Sequence, residues 1–139
     1  MQWHAYDKIG AYFYFYRLGP KKKTLTDFWR MIWEQKVERI AMLTNLVENG
    51  VNKCIRYWPE KVNGDPLKSD QFTVKLVKED VWPDFTRRQM EVSKVGIYWN
   101  FLKKHNPLYL FLTQQKGSND DRHVTQYHYT TWPDHGVPS

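Results

Sequence analysis

The sequence predicts a mixed α/β fold in which one helix precedes a largely antiparallel sheet. Large apolar residues recur at helical spacing across 28–37, which favours an amphipathic helix. Apolar and polar residues then alternate over 72–77 and over 86–92, and a strand-like run follows at 124–130. One helix followed by successive alternating segments indicates antiparallel meanders rather than repeated βαβ units.

Short local signals mark the ends of these elements. Thr24 is placed to cap the helix, and Asp27 lies near the helix's positive end. The apolar run Ile40–Leu43 has the length of a buried strand. Two turns are predicted, at Glu48–Gly50 and Asn63–Pro66, because asparagine and glycine tolerate the backbone conformations that tight turns need.

Composition narrows the class of partner. The chain of 139 residues is long enough for one modest domain, and its 21 basic and 15 acidic residues give a net charge of +6. That charge suits an anionic partner such as a phosphopeptide or nucleic acid, and it also fits a solvated surface. Lys21–Lys23 is the only dense basic run and has no interleaved aromatic residues, so we expect no nucleic-acid binding.

Membrane and metal sites are not expected from the sequence. No apolar run reaches bilayer length, and Met1–His4 lacks the charged start of a signal peptide. The single cysteine, Cys54, excludes an internal disulfide and a site built from several thiolates. The five histidines are dispersed. We therefore expect no metal, no cofactor, no membrane contact and a cytoplasmic location.

The motif with the clearest chemistry lies in the last eight residues and is centred on Asp134. Pro133 fixes its own φ, and Gly136 allows a backbone conformation closed to other residues. The carboxylate between them is carried on a loop that can move as a unit. Such an arrangement suits a general acid that a moving loop delivers to its substrate.

Four blocks of the chain resemble the classical protein tyrosine phosphatases. Residues 130–138 resemble the mobile acid loop of that family, and three earlier blocks match in the family's order, at 27–35, 40–50 and 53–59. The resemblance covers Gly19 to Lys94 and roughly Gly117 to Ser139. By this resemblance the chain is an internal fragment of a catalytic domain, ending just after the acid loop and before the Cys-x5-Arg loop.

The resemblance implies a fold, a reaction and roles for four residues. The fold would be an incomplete part of a twisted mixed sheet flanked by helices. The parent enzyme would hydrolyse phosphotyrosine in proteins through a cysteinyl-phosphate intermediate, either in the cytoplasm or in the cytoplasmic portion of a receptor-type protein. Asp134 would contact the substrate, protonate the departing tyrosine and then activate water.

Three further residues would support this acid. Lys53 matches the lysine that approaches the acid loop when it closes, although a solvated lysine at a strand end explains it too. Glu48 matches the glutamate that pairs with the arginine of the phosphate loop. Trp132 would anchor the hinge of the acid loop, and packing in the core is an equal explanation.

Cys54 does not have the surroundings of a phosphatase nucleophile. The sixth residue after it is Glu60 rather than arginine, and the intervening residues are bulky or, at Pro59, without an amide. Cys54 instead matches a non-nucleophilic cysteine of the family, so the nucleophile is expected outside this chain and the chain alone is expected to be inactive. The alternative is a catalytically inactive, phosphatase-like binding domain. Such domains often lose the aspartate that is intact here as Asp134.

A second Trp-Pro-Asp tripeptide ends at Asp84. It lies in a predicted loop and lacks the glycine that follows in the acid motif. We therefore expect Asp84 to have a structural role only.

Two segments depart from the family pattern, residues 1–18 and about 95–114. Both are rich in Tyr, Phe and Leu, which pyrimidine-rich DNA encodes, and both precede sequence that resembles the family. Lys94-Val95-Gly96 can be encoded as a splice donor and Thr113-Gln114 as an acceptor. We hypothesise that these segments are translated intron sequence or, equally, genuine loop insertions tolerated at a hairpin tip.

Sequencing the spliced transcript separates the two origins. If the intron hypothesis holds, codons 95–114 are absent from the mature message. A message that retains them in frame contradicts it and leaves the insertion.

Overall fold

The structure, a computed structural model, describes residues 4–9, 12–16, 19–94, 105 and 121–131, with side chains from residue 19 onward. Strands β1, His4–Ile9, and β2, Tyr12–Tyr16, form an antiparallel two-stranded sheet of their own. This sheet accounts for most of the atypical segment 1–18. The other atypical segment, about 95–114, lies outside the described residues except for residue 105.

One helix follows, and its apolar face is the one that the spacing predicts. A 3-10 turn at Lys22–Thr24 leads into helix α1, Leu25–Glu34. The residues that α1 buries are Phe28, Trp29, Met31, Ile32 and Trp33. Their positions repeat every three or four residues, so they form one large, mostly aromatic face.

Thr24 precedes the helix as predicted, but the prediction that its side chain caps the helix N-terminus is wrong. Thr24 is the residue before α1, but its hydroxyl makes no capping bond to the helix amides. It instead accepts from the Lys21 amide at 3.0 Å, which closes the 3-10 turn. Asp27 does lie in the first turn of α1, where its carboxylate pairs with Arg30 at 3.2 Å.

Within the described residues, the main sheet is mixed and has five strands in the order β3-β9-β8-β7-β6. Strand β3 runs parallel to β9, and every other neighbouring pair is antiparallel. This arrangement confirms the predicted α/β class. The strands, with the small hairpin β4-β5 included, are β3 Arg39–Met42, β4 Val47–Glu48, β5 Val51–Asn52, β6 Leu67–Ser69, β7 Phe72–Val81, β8 Phe85–Lys94 and β9 Arg122–Tyr129.

The prediction of a buried strand at Ile40–Leu43 is only half right. The strand exists as β3, yet Arg39 and Ala41 are exposed, Leu43 is 40% exposed, and Met42 is the buried residue. The reason is topological, because β3 is an edge strand that pairs only with β9 among the described strands. An apolar run does not reveal whether both sides of a strand are covered.

The core lies between α1 and one face of the sheet. Trp33 packs on Phe72 of β7 with ring centroids 6.1 Å apart, and Thr26 shares a 2.8 Å hydrogen bond with Ser69 of β6. Arg122 at the start of β9 donates to the Trp33 carbonyl and places its guanidinium carbon 3.8 Å from the centroid of that ring. A cation at this position satisfies a helix C-terminal carbonyl and complements the helix dipole.

Both predicted turns are present. Asn49 and Gly50 have φ values of 50° and 74°, which are the left-handed values that a two-residue hairpin loop requires. Asn63 has φ 53° in the second turn. The first turn matters for the site, because it joins β4, which carries Glu48, to β5, which precedes Lys53.

Among the described residues, no helix combines the length and the apolar character needed to cross a bilayer.

Candidate active site

Glu48 has one carboxylate oxygen bound and one unmatched. Its Oε1 accepts a 2.9 Å hydrogen bond from the backbone amide of Asn45. Its Oε2 is buried and has no hydrogen-bond partner among the described residues. A buried carboxylate oxygen is costly unless a donor or a cation meets it. The side chain is therefore held in place from one side and open to a cationic partner on the other.

Lys53 is placed by the same hairpin. Its backbone amide donates to the Leu46 carbonyl at 2.9 Å, one residue beyond the paired ends of β4 and β5. The residue is half-buried. The hairpin therefore carries Glu48 beside its turn and Lys53 just beyond its open end.

The end of β9 is fixed at the point where the acid motif begins. Thr130 donates its backbone amide to the Asp84 carbonyl at 3.1 Å, and the hydroxyls of Thr130 and Thr131 point to the same oxygen at 3.4 and 3.5 Å. From the other side, the Asn45 side-chain amide donates to the Thr130 carbonyl at 3.2 Å. Asn45 thus contacts both the Glu48 carboxylate and the end of β9.

The Trp-Pro-Asp tripeptide that ends at Asp84 therefore binds the end of β9, just before the acid motif begins in the sequence. The Asp84 side chain is exposed, and the residue acts through its backbone carbonyl. The structural role expected for Asp84 agrees with this geometry. Asp134 and Trp132, the predicted acid and its anchor, lie outside the described residues.

A buried polar network lies behind the end of β9 and is centred on Arg88 of β8. The Arg88 side chain is only 12% exposed. Its guanidinium donates to Gln126 Oε1 and contacts His128 Nδ1, both at 3.1 Å, and it pairs with Glu79 at 2.6 Å. The guanidinium carbon also lies 4.5 Å from the Trp58 ring centroid. One largely buried cation therefore bonds to both neighbouring strands, β7 and β9.

The network continues into the aromatic core through Gln126. Its Nε2 donates to the Tyr57 hydroxyl at 2.7 Å, and that hydroxyl contacts Met42 Sδ at 3.7 Å. Burial raises the pKa of the Tyr57 hydroxyl well above its ordinary value, so it remains a neutral phenol. The prediction that Tyr57 and Trp58 are core aromatics is confirmed by exposures of 2% and 5%.

His128 has a defined tautomer in this setting. Arginine can only donate, so the Nδ1 atom that faces Arg88 must be the acceptor. The proton is then on Nε2, which donates to the Thr44 carbonyl at 2.9 Å. Burial of the ring lowers the pKa of His128, and the positive charge of Arg88 lowers it too. The hydrogen bond to Thr44 raises this pKa, but by less than burial lowers it. The neutral imidazole is thereby favoured.

Comparison with known proteins decides the family. The family model described as protein-tyrosine phosphatase matches residues 11–139. The chain belongs to the protein-tyrosine phosphatase family.

Named relatives agree with the family model. The chain is 42% identical over 120 residues to putative receptor-type tyrosine-protein phosphatase mosPTP-1 of Aedes aegypti, and 42% identical over 121 residues to tyrosine-protein phosphatase 99A of Drosophila melanogaster. It is 41% identical over 122 residues to receptor-type tyrosine-protein phosphatase zeta of Rattus norvegicus. Each match covers 86% of this chain but only 8%, 8% and 4% of the relative's length.

Within this phosphatase chain, Cys54 is a structural thiol. It is 6% exposed, its Sγ lies 3.0 Å from the Ile55 carbonyl, and burial raises the pKa of the thiol to about 11. Gly19 packs so closely that an added Cβ there would lie 2.6 Å from Cys54 Sγ. A thiol with a raised pKa and no open approach is a poor nucleophile. The catalytic nucleophile of a tyrosine phosphatase is therefore not in this chain.

The sequence did not predict the polar network around Arg88 or the contacts of Asn45. Arg88, Gln126 and His128 all fall on the inward-facing phase of β8 and β9, the phase that also carries the buried Met90 and Val124. Polar residues at inward-facing strand positions indicate a buried hydrogen-bond network, because buried polar groups need partners. Asn45 gives no comparable signal, since one of its two contacts is with the end of a strand 85 residues away.

The depressed pKa of His128 predicts a pH dependence of stability. The unfolded chain binds the proton more tightly than the folded chain, so the free energy of unfolding decreases as the pH falls. The contribution is complete above the ordinary imidazole pKa of about 6.5 and is lost progressively toward the lower folded-state pKa. Urea unfolding at about pH 7.5 and about pH 5.5, either side of that ordinary value, measures the change.

His128→Gln is the matched control, because it keeps a donor for Thr44 and cannot titrate. The stability difference between the two pH values should be smaller in the variant than in the unmodified chain. Equal differences in the two proteins would show that His128 does not contribute.

Proposed function

We propose that this chain supplies part of the catalytic domain of an enzyme that hydrolyses phosphotyrosine in proteins. The reaction proceeds through a cysteinyl-phosphate intermediate without a metal or cofactor, and the cysteine is supplied by residues outside the chain. Family membership supports the reaction class. The observation that carries the proposal to this chain's own residues is the buried, unmatched Oε2 of Glu48, beside the end of β9.

Glu48 is suited to hold an arginine. Its Oε1 is already engaged by Asn45, so the carboxylate cannot turn away without losing that bond. A guanidinium arriving at Oε2 would satisfy the buried oxygen and be held in one orientation by a charge-assisted hydrogen bond. The arginine of a phosphate-binding loop, fixed in this way, would stabilise charge that develops on the transferred phosphoryl group.

Asp134 is the proposed general acid and the residue of this chain that contacts the substrate. The departing phenolate has a conjugate acid with a pKa near about 10, so protonation by a carboxylic acid assists its departure. The same group as carboxylate would activate water in the second step. Support comes from the end of β9, which the Asp84 carbonyl and Asn45 hold at Thr130, four residues before Asp134.

Two further residues have proposed supporting roles. Trp132 would anchor the acid segment by packing its indole ring. Lys53 would hold the Asp134 carboxylate when the acid is in place over the substrate. The placement of Lys53 on the same hairpin as Glu48 supports a shared function.

The proposed partners are phosphotyrosine-containing proteins, and the proposed location is the cytoplasm or the cytoplasmic portion of a receptor-type protein. Two of the relatives compared carry receptor-type phosphatase names. The net charge of +6 suits an anionic substrate. Residues 1–18 and about 95–114 are proposed to be additions to this domain, whether derived from introns or from insertions.

The proposal is tested with the purified chain and with a longer parent domain that includes the cysteine loop. Residues 1–139 should not hydrolyse para-nitrophenyl phosphate, whereas the parent domain should. Asp134→Asn in the parent should lower kcat by about 10²–10⁴-fold with little change in KM, because the lost interaction belongs to the transition state.

Asp84→Asn is the matched control, since it alters the aspartate of the other Trp-Pro-Asp tripeptide and keeps the backbone carbonyl. Its kcat should remain close to that of the unmodified parent. Turnover by residues 1–139, or equal losses in the two variants, would contradict the proposal. An inactive parent domain would favour a phosphatase-like binding domain.

A further inference from the structure

One peptide group links the buried network of β8 and β9 to the candidate site. The carbonyl of Thr44 and the amide of Asn45 belong to the same peptide bond. That carbonyl accepts from His128 Nε2 at 2.9 Å, and that amide donates to Glu48 Oε1 at 2.9 Å. The peptide is therefore bound at both ends, by His128 on one side and by Glu48 on the other.

A peptide group held in this way transmits orientation. The group is planar, and its C=O and N–H point in opposite directions across the plane. A donor that fixes the direction of the Thr44 carbonyl consequently fixes the direction in which the Asn45 amide points. Polarisation adds to this effect, because a carbonyl that accepts a hydrogen bond makes the N–H of the same group a better donor.

Arg88 determines which group donates and which accepts in each of these successive hydrogen bonds. Arg88 can only donate, which makes His128 Nδ1 an acceptor and leaves the proton on Nε2. His128 can then only donate to Thr44 through that atom. The sequence of donors runs without ambiguity from Arg88 through His128 and the Thr44–Asn45 peptide to Glu48.

We propose that His128, oriented by Arg88, is a positioning residue for the Glu48 carboxylate. It acts through the Thr44–Asn45 peptide and thereby sets the direction of the buried Glu48 Oε2. The Asn45 side chain also donates to the Thr130 carbonyl, so the same residue connects Glu48 to the end of β9. The catalytic importance of this positioning rests on the proposed function, whereas the positioning itself does not.

The competing explanation is that His128 only fills space. Its ring packs on Trp58 with centroids 5.8 Å apart, and an apolar side chain could occupy that volume. The two explanations differ at the Asn45 amide, which a space-filling residue does not reach. The amide therefore supplies a readout that packing alone does not change.

Hydrogen exchange of the Asn45 amide, followed by NMR in the 139-residue chain, tests the proposal. His128→Leu keeps an apolar filling and removes the donor to Thr44. The lower global stability of this variant will itself accelerate exchange. Beyond that effect, we expect Asn45 exchange to accelerate by a further factor of about 5 to 10, which corresponds to the loss of one hydrogen bond. His128→Gln places an amide donor near the position of Nε2 and should restore most of the protection.

Val92→Ala is the matched control, because it loosens the core at the other end of β8 without touching the network. It should accelerate Asn45 exchange only as far as it lowers global stability. Equal acceleration in His128→Leu and Val92→Ala, after this correction, would overturn the proposal. So would a failure of His128→Gln to restore protection when its fold is intact.

A second measurement requires no variant, and it decides the matter if the substituted chains do not fold. In the unmodified chain, His128 should show a ring proton on Nε2 that is protected from exchange by its hydrogen bond to Thr44. A protonated Nδ1 in neutral solution would overturn the proposal. Neither measurement depends on turnover, so failure here is distinguishable from failure of the proposed phosphatase activity.

Discussion

The structure depends on one largely buried cation, the Arg88 guanidinium in the middle of the main sheet. Its side chain is 12% exposed and contacts Glu79 on β7, Gln126 and His128 on β9, and the Trp58 ring. Removing much of the water around a charge costs free energy, and these hydrogen bonds and ion pairs offset that cost. The arrangement therefore favours one pairing register of β7, β8 and β9, because a shift in register would leave the charge without its partners.

The candidate site inherits its geometry from this constraint. Arg88 orients His128, His128 holds the Thr44–Asn45 peptide, and Asn45 contacts both Glu48 and Thr130. The residues nearest the proposed chemistry lie on a short hairpin and at a strand end, which are ordinarily among the least stable parts of a fold. Their connection to the sheet interior gives them an orientation that the hairpin alone could not maintain.

Much of the fold can be predicted from the sequence, because the helix, strands and turns depend on local patterns of residues. The face of α1, the alternation of β7 and the turn at Asn49–Gly50 each depend on residues a few positions apart, and each is present. The exposure of β3 was predicted wrongly, since an edge strand is defined by neighbours that a local pattern does not contain. The unsuitability of Cys54 as a nucleophile could be predicted from the residue types that follow it, and the general-acid role of Asp134 stays a prediction. The bond between His128 and Thr44 spans 84 residues and exists only once β3 and β9 are paired in register.

The central claim is that Arg88 and His128 act as one unit, and a double-mutant cycle measures it most directly. Urea unfolding of the unmodified chain, Arg88→Met, His128→Leu and the double variant gives the coupling free energy between the two side chains. The account predicts a coupling of about 1 kcal/mol or more, because either single change removes most of what the pair contributes. Additive losses, within about 0.3–0.5 kcal/mol, would contradict it and reduce Arg88 and His128 to independent residues of the sheet.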